Sequence, residues 1–157
     1  FRCGVKEIEA FSKKAFKNHS KPYPDFRVRV LYADGKDVGF YSISVTQPNE
    51  GGRILDKKQL YTGASAYLYI DHLAVRVSEQ GKKHSTTLMV DLIELAFNTM
   101  QNFGRIFAIG LNAADKSAIS FFEKWGFVTT SESTNPFMIL ERESLNALYD
   151  EIFNSDA

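Results

Sequence analysis

Residues Tyr67–Met89 read YLYIDHLAVRVSEQGKKHSTTLM. The first half predicts a β-strand. Tyr67, Leu68, Tyr69, Ile70, Leu73 and Val75 are aromatic, β-branched or aliphatic, and no Gly or Pro interrupts them. The second half predicts a helix, with apolar residues at Leu88, Leu92 and Leu95 and at Met89, Ile93 and Ala96. Between them, Ser78 to Ser85 (SEQGKKHS) is a short polar turn. A strand, a tight turn and a helix start together make an anion site. Their backbone N–H groups lack partners there, and the helix dipole favours negative charge. Lys82 and Lys83 add two positive charges. The turn is therefore expected to hold a phosphate-bearing ligand. Two lysines alone would read as a solvated basic turn; the helix start behind them favours phosphate.

Before this stretch, Val5 to about Asn18 predicts an amphipathic helix, with Ile8, Phe11 and Ala15 on one face. Pro22 and Pro24 follow, where a helix cannot continue. Phe26–Val30 and Val38–Val45 alternate like strands around an Ala33-Asp34-Gly35-Lys36 turn, so a hairpin is expected. Gln47–Gly63 is a long polar loop with Leu55, Leu60 and Tyr61 as anchors, and loops of this length are often functional. After the central stretch come a strand at Arg105–Leu111 and a short helix at Lys116–Trp125, capped by Asp115 or Asn112 and stopped by Gly126. Strands at Phe127–Thr130 and Phe137–Leu140 and a last helix at Glu143–Phe153 complete the chain. This order predicts an α/β fold, one domain over residues 1–157, with a mixed sheet flanked by helices on both faces.

A chain of 157 residues suits one domain with a real core. Lys+Arg and Asp+Glu both number 19, which argues against a generic nucleic-acid binder but leaves room for a local patch. The single cysteine, Cys3, excludes an internal disulfide and fits a reducing, cytoplasmic setting; it reads as packed rather than reactive. No run is apolar enough to span a membrane, and no metal site is expected. The first residue is Phe1, so a short upstream segment is expected to be missing.

Three sets of residues resemble the GNAT family of N-acetyltransferases. Leu73-Ala74-Val75 followed by Gln80-Gly81-Lys82-Lys83-His84-Ser85-Thr86-Thr87-Leu88 is similar to the family's Arg/Gln-Gly-x-Gly-x-Gly/Ala motif. Asn112 with Ala118-Ile119-Ser120-Phe121-Phe122-Glu123-Lys124-Trp125-Gly126-Phe127 resembles its Asn…Ala-x-x-Phe-Tyr-x-x-x-Gly-Phe segment. Phe1-Arg2-Cys3-Gly4, a lysine-rich helix and Val38-Gly39-Phe40-Tyr41 resemble the layout of toxin acetyltransferases from toxin–antitoxin pairs. The likeness covers nearly the whole chain. It implies a GNAT fold with a mostly antiparallel central sheet, acetyl-CoA as cofactor, and direct acetyl transfer to a primary amine.

The resemblance also distributes roles. Backbone groups of Leu73, Ala74 and Val75 would hold the pantetheine arm and polarise the thioester. Gln80, Gly81, Lys82, Lys83, His84, Ser85 and Thr86 would hold the pyrophosphate. Asn112 would touch the cofactor arm, a helix cap being its plain alternative. Period-two alternation puts Tyr67, Tyr69 and Asp71 on one strand face. Asp71 is the candidate base, acting through water, and Tyr69 a candidate acid; a strand-edge aspartate is the plain reading of the former. His72 is expected on the opposite face as a packed histidine, barring a bulge. Ala118, Phe121 and Trp125 should form a core stripe, while Phe122 lines the thioester end. No Cys or Ser is expected beside a His at the site in the way covalent catalysis needs, so direct transfer is expected.

Two departures stand out. Lys83 and Ser85 occupy positions where the family has glycines. Phe122 occupies the position of the tyrosine that protonates the departing thiolate, and a phenyl ring has no proton to give. The acid then comes from elsewhere, or catalysis is slow, or it is lost. The acceptor is a small-molecule or macromolecular amine. One alternative is a toxin acting on aminoacyl-tRNA, which Lys13, Lys14, Lys17, Lys21, Arg27 and Arg29 would suit as a basic surface, though a solvated helix face plus ordinary strand charges is the favoured reading of them. Another is a non-catalytic module that binds CoA or a partner. The resemblance allows a homodimer and an antitoxin partner.

Overall fold

The computed structural model describes residues 1–17, 26–46, 66–130 and 133–154. Lys21 and the loop expected at Gln47–Gly63 lie outside the described residues. The elements in order are α1 (Lys6–Lys17), β1 (Arg27–Ala33), β2 (Lys36–Thr46), β3 (Ala66–Val75), a 3-10 turn (Val77–Glu79), α2 (His84–Asn102), β4 (Ile106–Asn112), α3 (Lys116–Glu123), β5 (Val128–Thr129), β6 (Phe137–Glu141) and α4 (Arg142–Tyr149). A π-helical turn, Asp150–Asn154, continues α4. The strands form one six-stranded sheet in the order β1-β2-β3-β4-β6-β5. β3 and β4 run parallel, whereas β1–β2, β4–β6 and β5–β6 are antiparallel. The expected mixed α/β sheet is thus observed. The 3-10 turn was not foreseen, because three residues carry too little periodicity to register.

The backbone groups into two compact units, Phe1–Ser44 with Ile70–Leu92, and Val45–Tyr69 with Ile93–Ala157. In the first, Asp34 (φ 51) and Gly35 (φ 75) both take left-handed conformations, as a two-residue hairpin loop demands. Phe1, Phe11 and Phe16 surround Phe40, with ring centroids 5.3–6.0 Å from it. The lead-in is pinned by Glu9, whose carboxylate accepts the N–H groups of Gly4 at 2.9 Å and Cys3 at 3.0 Å. Those bonds hold the Glu9 carboxyl below its usual value. Arg76 bonds Asp37 at 2.5 Å and lies over the Phe1 ring.

In the second unit, Tyr67, Tyr69, Phe107, Ala108, Phe137 and Ile139 form a buried cluster. Gly110 is required there, since a Cβ would come within 2.5 Å of the Phe137 ring and 3.1 Å of Tyr67. α3 begins on Asp115, whose carboxylate accepts the Ala118 N–H at 2.8 Å. Asn112 is therefore not the cap. The expected α3 core stripe is corrected too. Ala118, Phe121 and Trp125 are only half-buried, and Phe122 is the one buried residue of α3.

Candidate functional site

The turn after β3 keeps the conformation that glycine would favour. Gly81 has φ +84 and Lys83 has φ +64. Lys83 stands where the motif carries a second glycine, so the left-handed backbone survives although the residue has changed. An L-residue pays roughly 1–2 kcal/mol for it. α2 starts at His84, and its first-turn N–H groups point back into the turn by helix geometry. The Gln80 side chain clamps the turn, donating to the Val75 carbonyl at 3.2 Å and the Cys3 carbonyl at 3.4 Å. Glu79 faces Lys82 at 3.1 Å and His84 Nε2 at 3.4 Å. Its carboxyl is held low chiefly by the Lys82 hydrogen bond. Lys82 is thus partly answered by an internal anion. Gly81, Lys82, Lys83 and Thr86 are exposed, and His84 and Ser85 half-buried, so the turn is open to an incoming phosphate.

β3 runs six residues past its last β4 pair, Tyr69–Gly110. Ala74 is buried, while Leu73 and Val75 are half-buried. The Ala74 carbonyl lies against Gly39, where a Cβ would approach it to 2.9 Å. In this segment the structure corrects the expected alternation. Ser42 and Ser44 are two apart on β2 and share a face. Ser44 donates to Asp71 Oδ2 at 2.8 Å, and Ser42 Oγ lies 2.8 Å from His72 Nδ1. Adjacent residues of β3 therefore reach one face of β2. His72 also stacks on Phe11, with centroids 4.0 Å apart and planes at 19°. Burial pushes the His72 imidazole below its usual value, which keeps it neutral. Ser42 is a serine with a histidine partner. Ser42 is fully buried, however, which denies it the access a nucleophile needs.

In the second unit, the buried Tyr69 hydroxyl donates to Asn112 Oδ1 at 2.8 Å. Asn112 is exposed, and its amide donates to the Asn135 carbonyl at 3.3 Å. Phe122 packs edge-on against Phe121 and Phe127, with centroids 5.0 and 5.3 Å away. The basic cluster is reduced. Arg29 is ion-paired to Asp91 at 2.8 Å, and the Tyr41 hydroxyl donates to the same carboxylate at 2.6 Å. Lys13, Lys14 and Arg27 remain exposed.

Sequence reading missed Ser42, Ser44 and Phe11. A signal was present: two small hydroxyl residues alternate along an otherwise apolar strand, where buried polar groups need partners.

Residues 4–127 match the model of the Acetyltransferase (GNAT) family. No curated protein matches in sequence. Among solved structures, the chain is similar to the KacTA–DNA complex, with 18% identity, TM-score 0.77, and 96% of this chain and 89% of that chain covered. It is similar to AtaTR bound with AcCoA at 17% identity and TM-score 0.74, covering 95% and 88%. A structure described as a bacterial toxin gives 21% identity and TM-score 0.75, covering 100% and 87%.

Proposed function

Because this chain belongs to the acetyltransferase (GNAT) family, we propose that it carries an acetyl group from acetyl-CoA directly to a primary amine. The observation that carries this is the β3–turn–α2 geometry. A left-handed turn at Gly81 and Lys83 opens onto a helix start directly after Leu73–Val75. Gly81, Lys82, Lys83, Ser85 and Thr86 fit a pyrophosphate through backbone N–H groups and charge, with His84 at the helix start. Gln80 holds the turn against β3. Leu73, Ala74 and Val75 offer backbone groups for the pantetheine arm, as the resemblance implies.

Acetyl-CoA supplies the thioester, whose acetyl carbon takes the amine nitrogen while its C–S bond breaks. The protein's tasks are to present a neutral amine, polarise the carbonyl and protonate the thiolate. Asp71 and Tyr69 are the candidate base and acid. Asp71 accepts from Ser44 at 2.8 Å, which fixes the direction of its carboxylate. Tyr69 supplies the hydroxyl that Phe122 lacks. Asn112 orients that hydroxyl and, with Phe122, is assigned to the cofactor end by resemblance alone.

A second reading, a toxin that acetylates aminoacyl-tRNA and is held by an antitoxin, draws on one observation. The similar structures include the KacTA–DNA complex, AtaTR bound with AcCoA and a bacterial toxin, each over most of both chains. The test is a panel of amines (polyamine, aminoglycoside, peptide N-terminus and charged tRNA) followed by free thiol release. Release with charged tRNA alone selects the toxin. Release with small amines selects the general enzyme. Binding without release leaves the non-catalytic module.

A further inference from the structure

We propose that His72, in place of the Asp71 candidate, takes the proton from the acceptor amine, its ring held by Ser42 and Phe11; this rests on the acetyl-transfer reading above. Two contacts fix the ring. Ser42 Oγ sits 2.8 Å from Nδ1, and Phe11 stacks on the face at 4.0 Å. A hydrogen bond and a stack together set both the position and the plane of the imidazole. Nδ1 is spent on a fully buried hydroxyl, so proton exchange with substrate falls to Nε2. When Nδ1–H donates to Ser42, the neutral ring carries its lone pair on Nε2, the form a base needs. Burial keeps the ring neutral near pH 7.

Its place in the chain suits the role. His72 directly precedes Leu73, the first residue of the segment assigned to the thioester, and it is half-exposed. Ser42 from β2 and Phe11 from α1 touch the ring, and Asp71, bonded to Ser44, is its neighbour along β3. Asp71 accepts from Ser44, while the neutral His72 ring offers an unprotonated nitrogen at neutral pH. In the step, one N–H bond of the substrate ammonium breaks and an Nε2–H bond forms. The neutral amine then attacks the acetyl carbon and the C–S bond breaks. The second amine proton leaves with the thiol, and the imidazolium returns its proton to water.

The test pairs a spectrum with kinetics on the full chain. In protein with 15N-labelled histidine, the resonance lost in His72→Gln identifies His72 among the three histidines. The expected state at neutral pH is an uncharged ring protonated on Nδ1. With acetyl-CoA and charged tRNA as probes, beside spermidine, wild-type thiol release should fall on the acid side as His72 gains its proton. His72→Gln should lower kcat roughly a hundredfold and flatten that limb, with KM for acetyl-CoA nearly unchanged. Ser42→Ala should move the limb, and it checks the result should His72→Gln fold poorly. An Nε2–H tautomer, or an unchanged acid limb in His72→Gln, overturns His72 as the base while leaving the transferase reading intact. Cofactor binding by wild type without any thiol release overturns that reading and the proposal with it.

Discussion

The Tyr69 hydroxyl gives its hydrogen to Asn112 Oδ1 across 2.8 Å, tying β3 to β4 at the last pair of their ladder. The bond sets the direction of a phenol that is itself buried. A phenol used as an acid must hand over that hydrogen, so the bond bears on rate as well as stability. Tyr69→Phe is expected to lower the folding free energy by about 1 kcal/mol, the usual net worth of such a bond. It should also slow thiol release at least tenfold, leaving the acetyl-CoA-induced rise in melting temperature intact. Urea unfolding and single-turnover kinetics measure the two effects separately. A stability loss with an unchanged rate would make Tyr69 a structural residue only.

Phe122 offers the reciprocal experiment. It is the buried residue of α3, set edge-on between Phe121 and Phe127. Phe122→Tyr places a hydroxyl in that packing, and an unsatisfied one costs about 1–3 kcal/mol. In the Tyr69→Phe background the added hydroxyl should recover part of the lost rate. In the wild-type background it should change little if Tyr69 already serves. A large gain in wild type would show that an acid is missing there.

These two residues illustrate what the sequence could and could not reveal. The strand–turn–helix at Tyr67–Met89 was legible because its residues obey a two-residue period and then a helical one. Asp34-Gly35 announced its hairpin by residue type. The shared face of Asp71 and His72 was not legible, since strict alternation separates neighbours and nothing local to β3 marks the exception. The stripe on α3 failed differently. Its i, i+3, i+4, i+7 spacing was right, but spacing does not say how much of a helix the neighbouring elements cover. Arg29 read as a free basic charge because its partner, Asp91, is 62 residues away.

Lys83 is strained where a glycine would rest. Lys83→Gly should raise stability by up to about 1 kcal/mol, the left-handed penalty less the entropy that glycine adds to the unfolded chain. On a domain of this size that is about 2–4 °C in melting temperature. Gly81→Ala, at φ +84, should shift it the other way. Acetyl-CoA should raise the melting temperature of wild type by binding the native state. Gly81→Ala should blunt that rise more than its own destabilisation explains. No shift of wild type at millimolar cofactor would sink the assignment of the turn.

Asp91 takes two partners on one carboxylate, Arg29 at 2.8 Å and the buried Tyr41 hydroxyl at 2.6 Å. The Arg29 pair is half in solvent, at 53% and 37% exposure, and such pairs contribute at most about 1 kcal/mol. Arg29→Ala should therefore be nearly neutral. Asp91→Ala removes the acceptor of a buried hydroxyl and should cost about 1–2 kcal/mol, while Asp91→Asn should recover most of it. Equal losses for Arg29→Ala and Asp91→Ala in urea unfolding would show that the ion pair matters more than the hydroxyl.

Acid stability should fall in two stages. The folded state holds His72 below 6.5, so the unfolded chain binds that proton first as pH drops. Stability tied to His72 is complete above 6.5 and is lost as pH falls from there through the lowered folded value. Glu9 and Glu79 are both held below 4.5, by the Gly4 and Cys3 N–H groups and by Lys82 respectively. Their contributions persist above 4.5 and are lost at lower pH, as each carboxylate is protonated. His72→Gln should erase the first stage and leave the second. Glu9→Gln should reduce the second and leave the first. Urea midpoints for wild type and both variants, taken from neutral pH down to about pH 3, separate the stages. A His72→Gln curve parallel to wild type between about pH 7 and 5 would mean that the imidazole carries no strain from its burial.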